Sequence, residues 1–373
     1  MNLPTHRVII SGGGTGGHLF PAIAIANALR RKQPAMKILF VGALGKMEME
    51  KVPQAGYEIR GLPIAGLQRK LDWKNFLLPF KVINSVKQAQ KIISEFRPDA
   101  AVGVGGYASA PVLFAASRRK IPCLLQEQNS YAGLTNKLLG RRAQKICVAY
   151  EGMEKFFAAE KIILTGNPVR KDIASAAGKT MEAYAHFRLS PHKKTLLVLG
   201  GSLGARSINH GVGHHLAKLN DQGIQVLWQT GKLYFESWRH EAEKFPDLVR
   251  IHAFIDRMDL AYAAADVVIS RAGALSIAEL CVTGKPALLV PSPNVAEDHQ
   301  TKNALALVNR NAALMMADAD APQQLAEAAL ELIHDSARQE KLKSNIRALA
   351  RPEADETIAG EILQLIHQPM AKT

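Results

Sequence analysis

Cysteine is scarce in these 373 residues: three, Cys123, Cys147 and Cys281, each in an apolar context. That number and scatter excludes a disulfide framework or a cysteine zinc site, and suits a reducing compartment. No basic-then-apolar leader precedes the first apolar run, so no signal peptide is expected. Long unbroken apolar runs are missing too. The uncharged stretch 100–117 is interrupted by Gly103, Gly105, Gly106, Ser109 and Pro111, and reads as strand, turn and helix start rather than a membrane span. Acid is short in one half only. Residues 1–170 carry 25 Lys+Arg against 10 Asp+Glu and residues 171–373 carry 22 against 23, so the whole net charge of +14 lies N-terminally. That half is expected to meet something anionic: membrane surface, pyrophosphate or nucleic acid. No recognised nucleic-acid motif accompanies the charge, and no nucleic-acid partner is expected.

What is present is α/β patterning twice over. Short apolar runs at 7–11, 37–41, 100–104, 122–125, 145–148 and 162–165 alternate with helical spacing, and so do runs at 195–200, 225–229, 249–253, 266–270, 286–290 and 312–316. Alternation of this kind predicts doubly wound parallel sheets, and the length predicts two domains. The breaker cluster Gly166-Asn167-Pro168 marks the boundary. It gives domains of 1–167, which carries the cationic excess, and 168–351. The tail 352–373, with Ile358, Ile362, Leu365 and Ile366 at helical spacing, is a final amphipathic helix packing back onto the first domain.

Glycine turns follow a strand and open a helix in both halves. Ser11-Gly12-Gly13-Gly14-Thr15-Gly16-Gly17-His18 and Gly200-Gly201-Ser202-Leu203-Gly204-Ala205 are the strand–turn–helix unit whose backbone N–H groups and helix dipole bind phosphate. Two of them predict two nucleotide-type folds facing across a cleft, one for each phosphate-bearing substrate. Gly12, Gly14 and Gly17 satisfy a dinucleotide fingerprint, but the second strand ends in Gly42-Ala43 and the nearest acid is Glu48, so a nicotinamide cofactor is not indicated. No Lys-Ser/Thr pair follows Gly204, so no Walker-type magnesium site is implied. His18, at a helix start that disfavours its protonation, is either a general base for a sugar hydroxyl or a capping, phosphate-contacting histidine.

Three further segments carry chemistry. Gly105-Gly106-Tyr107 is a second lobe of the first cradle, or a tight αβ turn. Gln126-Glu127-Gln128-Asn129 ends a strand where open sheets bind ligands, or is a solvated loop. Ala274, Leu275, Ser276, Ile277 and Ala278 follow a third glycine turn at Arg271-Ala272-Gly273, and Glu279 can hold a ribose or serve the helix dipole. In the segment 296–303, Gln300 and Asn303 suit sugar recognition and Asp298 suits capping. Asp318-Ala319-Asp320 is read as a turn with an N-cap, not a metal motif. Leu67, Lys70, Trp73, Lys74, Phe76, Leu77, Phe80 and Lys81 interleave apolar and basic side chains, as an interfacial patch on anionic lipid does, or a core-packed helix with a basic face.

In chain order these motifs, with Gly166-Asn167-Pro168-Val169-Arg170, resemble the peptidoglycan N-acetylglucosaminyltransferases of the GT-B fold over nearly the whole chain. The resemblance implies inverting, metal-independent transfer of N-acetylglucosamine from UDP-GlcNAc to the C4 hydroxyl of lipid I, forming lipid II, with no cofactor. It implies a peripheral enzyme on the cytoplasmic face of the bacterial membrane, with other cell-wall synthesis proteins as candidate partners. By analogy Arg170 and Ser202 meet the diphosphate, Ile255 the uracil through its backbone, and Glu279 the ribose. Residues 274–278 and Gln300 lie along the diphosphate and sugar, joined by Thr15, Gly16, Gly17 and Asn129. Gly13, Gly14, Gly105, Gly106 and Tyr107 take the acceptor pyrophosphate. His18 is the favoured base and Glu127 the alternative. Competing readings are a UDP-GlcNAc 2-epimerase, which needs no basic–aromatic patch, and a non-catalytic nucleotide-sugar sensor, which would tolerate loss of His18.

Overall fold

The apolar runs assemble into two all-parallel sheets. The computed structural model describes residues 5–64, 78–201 and 203–367, with the side chains of 78–81 and 296 outside that description. Residues 5–168 with 353–367 form one compact unit and Val169–Pro352 the other. The first contains β1 (Arg7–Ser11), β2 (Lys37–Ala43), β3 (Glu58–Leu62), β4 (Ala100–Gly103), β5 (Cys123–Glu127), β6 (Lys145–Val148) and β7 (Ile162–Leu164). They pair in the order β3-β2-β1-β4-β5-β6-β7. The second contains β8 (Thr195–Leu199), β9 (Gln225–Gln229), β10 (Val249–His252), β11 (Val267–Ser270), β12 (Ala287–Leu289) and β13 (Leu314–Met315), in the order β10-β9-β8-β11-β12-β13. Every residue of β8 is buried, as expected of a parallel strand covered on both faces.

The strand order positions the sites. The chain leaves β1 to pair with β2 on one side, and β4 returns on the other, with Ser11 opposite both Val41 and Gly103. In the second unit β8 is likewise flanked by β9 and β11. Connections that diverge from a central strand leave a crevice beyond its carboxyl end, the switch point where doubly wound sheets bind ligands.

β3 carries no strand signal in the sequence. Its segment Glu-Ile-Arg-Gly-Leu is short, carries two charges and a glycine, and only Leu62 is buried. An edge strand has one neighbour and little core to face, so its pattern carries little apolar signal. The stretch 100–117 divides into β4, a glycine turn and the helix Ser109–Arg118. Among the described residues no helix is long and apolar enough to cross a membrane.

The last helix, Ala354–His367, covers the face of the first sheet beside the helix Gly16–Lys32. Its Ile358, Ala359 and Ile362 are fully buried with Val8, Ile10, Leu19 and Ile25, each isoleucine contributing about 1.5–3 kcal/mol by burial. Arg31 fixes its start through Asp355 and Glu356, at 2.6 and 2.7 Å, and Lys145 pairs with Glu361 farther along.

Candidate functional site

Two glycine turns meet at the first unit's switch point, one leaving β1 and one leaving β4. A Cβ on Gly106 would collide with the Gly13 carbonyl oxygen, and one on Gly105 would lie 2.7 Å from His18 Cδ2 and 2.9 Å from Nε2. Gly105 and Gly106 also hold φ of +92° and +83°, a region that side chains disfavour. The helix Gly16–Lys32 begins after Thr15 with no side-chain cap and no acid in its first turn, so its positive end faces the turns unmatched by a first-turn carboxylate. His18 Nδ1 lies 3.2 Å from the Gly13 carbonyl oxygen and 3.4 Å from Thr15 Oγ1. A carbonyl only accepts, so Nδ1 carries the proton of this contact and, in the neutral ring, Nε2 would be the basic nitrogen. Tyr107 is half exposed at the lip, and Ser109 Oγ donates to the Gly106 carbonyl at 2.8 Å.

The run 126–128 is buried, not a solvated loop: Gln126, Glu127 and Gln128 are at most 2% exposed. Gln126 donates to Asn167, Asn167 donates to the Gln128 carbonyl, and Gln128 donates to the Val104 carbonyl beneath the second turn. The Asn167 that marks the boundary in the sequence thus ties two loops together. Glu127 accepts from the Asn129 backbone at 3.0 Å and from Asn136 Nδ2 at 2.8 Å. Burial pushes its carboxyl above the usual range, against opposing hydrogen bonds from Asn129, Asn136 and Gly133. Its oxygens hold the loop that carries Asn129.

Glu48 is a carboxylate whose place here the sequence reading did not anticipate. It is 1% exposed and accepts from the Gly14 N–H at 2.9 Å and the Ala43 N–H at 3.1 Å. Gly14, expected to meet pyrophosphate with that N–H, donates it to Glu48. The acid appeared in the sequence only as one too far from β2 for ribose, and nothing in the pattern showed it folding back under the turn.

The second unit repeats the arrangement. Gly200–Gly204 follows β8, and a Cβ on Gly200 would lie 2.7 Å from the Ala205 nitrogen; Ser202 lies outside the described residues. After β11, Arg271 donates to the Val290 and Pro291 carbonyls at 3.0 and 3.3 Å, to Asp318 at 2.5 Å and to Ser207 at 3.2 Å. One guanidinium therefore ties three segments to the turn. Residues 318–320 are the expected turn with Asp320 at the N-cap, though its side chain makes no cap bond, and Asp318 is the partner of Arg271.

The helix Ala274–Thr283 starts from extended Gly273 with no acid in its first turn, presenting Ala274, Leu275, Ser276, Ile277 and Ala278 at its positive end. Glu279 stands on the second turn. Tyr262, fully buried, donates its hydroxyl to Glu279 Oε2 at 2.9 Å. Burial pushes the Glu279 carboxyl up to about 7, opposed by Tyr262 and by the charge of Arg170. Arg170 lies 3.6 Å from Asp172. The Ile255 N–H donates to Gln229 Oε1 at 2.8 Å, so a base contact through that N–H requires Gln229 to release it. Gln300 accepts from the Ser292 N–H at 2.8 Å. Asn303 is fully buried and donates to the Ala272 carbonyl at 3.4 Å, so it supports the turn rather than facing a sugar. Asp298 holds Thr301 Oγ1 rather than a backbone N–H, at 2.7 Å. Of the basic–aromatic segment, Leu67, Lys70, Trp73, Lys74, Phe76 and Leu77 lie outside the described residues, as do the side chains of Phe80 and Lys81.

Comparison with known proteins agrees across the chain. Residues 8–148 match the glycosyltransferase family 28 N-terminal domain, and residues 195–358 match the family 28 C-terminal domain. A protein of Parabacteroides distasonis named UDP-N-acetylglucosamine–N-acetylmuramyl-(pentapeptide) pyrophosphoryl-undecaprenol N-acetylglucosamine transferase is 55% identical over 97% of this chain and 98% of its own. The crystal structure of Acinetobacter baumannii MurG superposes with a TM-score of 0.79 at 28% identity, over 97% of this chain and all of that one. A UDP-GlcNAc 2-epimerase of Neisseria meningitidis, bound to UDP-GlcNAc, has a TM-score of 0.67 but 14% identity over 96% of this chain and all of its own, a likeness of fold alone. The chain is a two-sheet α/β protein of the GT-B fold and belongs to glycosyltransferase family 28, among the N-acetylglucosamine transferases of peptidoglycan synthesis.

Proposed function

We propose that this chain transfers N-acetylglucosamine from UDP-N-acetylglucosamine to the C4 hydroxyl of the N-acetylmuramyl-pentapeptide carried on pyrophosphoryl-undecaprenol, with inversion and without a metal ion. One observation carries the proposal. Each unit, taken separately, has a pair of glycine turns at its switch point, one pair beside an imidazole and the other beside a partly buried carboxylate, in a chain matching such transferases end to end.

The donor belongs to the second unit. Glu279 accepts from the ribose hydroxyls, and the helix start 274–278, with Arg170 and Ser202, meets the diphosphate. Gln300 meets the sugar, and Ile255 the uracil. Thr15, Gly16, Gly17 and Asn129 add donor contacts from the first unit. The acceptor pyrophosphate takes Gly13, Gly105, Gly106 and Tyr107, with Gly14 holding the turn through its bond to Glu48. His18 is the base: its Nε2 takes the C4 hydroxyl proton as that oxygen bonds to the anomeric carbon opposite the departing UDP. The bond from the anomeric carbon to the β-phosphate oxygen breaks, and the charge on UDP is met by N–H donors and a helix end. Glu127 holds the loop of Asn129 and is not the base. The cationic excess and the segment 67–81 hold the first unit on an anionic cytoplasmic membrane face.

The test is to incubate the protein with UDP-GlcNAc and a short-chain lipid I analogue, with and without EDTA, following UDP and disaccharide. Acceptor-dependent product that survives EDTA is expected. UDP release without acceptor, or formation of the 2-epimer, would replace the proposal with an epimerase.

A further inference from the structure

Glu48 and His18 are joined through one peptide plane. The peptide between Gly13 and Gly14 gives its N–H to Glu48 Oε2 at 2.9 Å, and its carbonyl oxygen receives His18 Nδ1–H at 3.2 Å. In a trans peptide these two groups point in opposite directions within one rigid plane. The carboxylate therefore fixes the orientation of the very carbonyl that fixes the imidazole. We infer that Glu48 is a positioning residue for His18, holding it through the Gly13–Gly14 peptide in the Nδ1–H tautomer with Nε2 aimed at the acceptor hydroxyl.

Three observations support this. First, Glu48 is 1% exposed, and its Oε1 is anchored independently by the Ala43 N–H at 3.1 Å, at the end of β2. Its position is therefore set by the sheet and not by the turn it supports. Second, space has been left for it. A Cβ on Gly42 would lie 2.5 Å from Glu48 Cγ, and a Cβ on Gly13 would collide with the carboxylate, so both positions are open only to glycine while Glu48 stands there. Third, a hydrogen-bonded chain from carboxylate to peptide to imidazole polarises each link, drawing negative charge toward the carbonyl oxygen. A base that acquires positive charge as it takes a proton is stabilised by that polarisation, as a carboxylate bonded directly to a histidine stabilises it. Neutral groups near the pair include the Ala43 and Gly14 amides and the Ile59 side chain near Glu48, and the Thr15 hydroxyl, Gly105 and the Gln128 amide near His18.

The inference rests on His18 being the base, and the experiment separates the two. Glu48→Gln, His18→Ala and the double variant are compared with the unaltered protein for kcat against pH, KM for UDP-GlcNAc and binding of UDP. In Glu48→Gln the amide keeps the side chain's size but turns one donor toward a backbone N–H and removes the charge. The expected result is a fall in kcat of about tenfold to a hundredfold with UDP affinity changed far less than kcat, since the contacts assigned to uracil, to ribose and to most of the diphosphate lie in the second unit. The acidic limb of the kcat profile should move to lower pH, because an imidazolium deprived of the carboxylate loses its proton more readily. In the His18→Ala background Glu48→Gln should add no further loss. Nitrogen-15 spectra of labelled histidine, read without turnover, should show His18 protonated on Nδ1 in the unaltered protein and a tautomer mixture in Glu48→Gln. An unmoved acidic limb, equal losses in both backgrounds, or an unchanged tautomer would overturn the inference while leaving the base intact. Near-normal kcat in His18→Ala would instead overturn the base. Should Glu48→Gln fold poorly, Glu48→Asp retains the charge but shortens the reach: a lowered kcat with an unmoved limb is expected, and full activity would count against the geometry.

Discussion

Replacing Glu279 by glutamine should make the protein more stable and a poorer binder of UDP, and the size of both effects follows from its surroundings. The carboxyl is pushed by burial from 4.5 to about 7, which corresponds to about 3 kcal/mol at about 1.4 kcal/mol per pKa unit. The folded protein keeps this proton to near pH 7, whereas the unfolded chain loses it near pH 4.5. Between those values the native state binds more protons, so stability falls as pH rises from about 4.5 to about 7 and is flat above. Glutamine carries no such charge and removes the fall. Melting curves should therefore coincide near pH 5 and diverge towards pH 8, with the variant melting roughly 5–10 °C higher for a unit of this size. UDP affinity should move the other way. If the ribose hydroxyls donate to Glu279, as proposed, they bind its ionised form, so unaltered protein should bind UDP more tightly as pH rises through 7. The variant should lose about 1.5–3 kcal/mol of binding together with that pH dependence. Calorimetric melting at pH 5, 6, 7 and 8, with UDP titrations at the same values, reads both. Parallel melting profiles across this range would refute the assignment of a desolvated charge at Glu279, whatever its role toward ribose.

Other outcomes follow from particular positions. The three cysteines are buried, with burial pushing Cys123 and Cys281 up to about 12 and Cys147 higher still; none should react with a thiol reagent at pH 8 until the protein is unfolded, and one fast native equivalent would contradict this. Gly106→Ala forces a side chain into φ +83° and against the Gly13 carbonyl, so acceptor-dependent transfer should fall at least tenfold while UDP binding is retained. Ile362→Ala empties a fully buried site under the first sheet and should cost about 2–5 kcal/mol in that unit's denaturation; a loss below 1 kcal/mol would mean the last helix is dispensable there.

Much of this was legible in the chain because local physics determines it. Glycines after apolar runs favour strand–turn–helix units at Ser11 and Gly200, and continuous apolar stretches such as Leu196–Leu199, bounded by a glycine turn, suit parallel strands covered on both faces. The edge strand β3 was not legible, since a strand with one neighbour need not be apolar. The identity of supporting polar residues was not legible either. Glu48, Asn167, Tyr262 and Asp318 look in sequence like a surface acid, a loop breaker, a helix aromatic and a turn acid. Each becomes part of a site only because strand order brings its element to its partner: Glu48 and Asp318 against glycine turns, Asn167 against Gln126 and Gln128, and Tyr262 against Glu279.

The sequence by itself determined the elements, the glycine turns and the chemical types available at each, because backbone conformation and hydrophobic periodicity are properties of short segments. Tertiary structure alone decided the partners: Gly14 gives its N–H to Glu48, Asn303 lies inside rather than toward a sugar, and Glu127 braces a loop. Those assignments depend on which strand lies beside β1 or β8, and buried polar atoms must find donors or acceptors among whatever neighbours that order supplies.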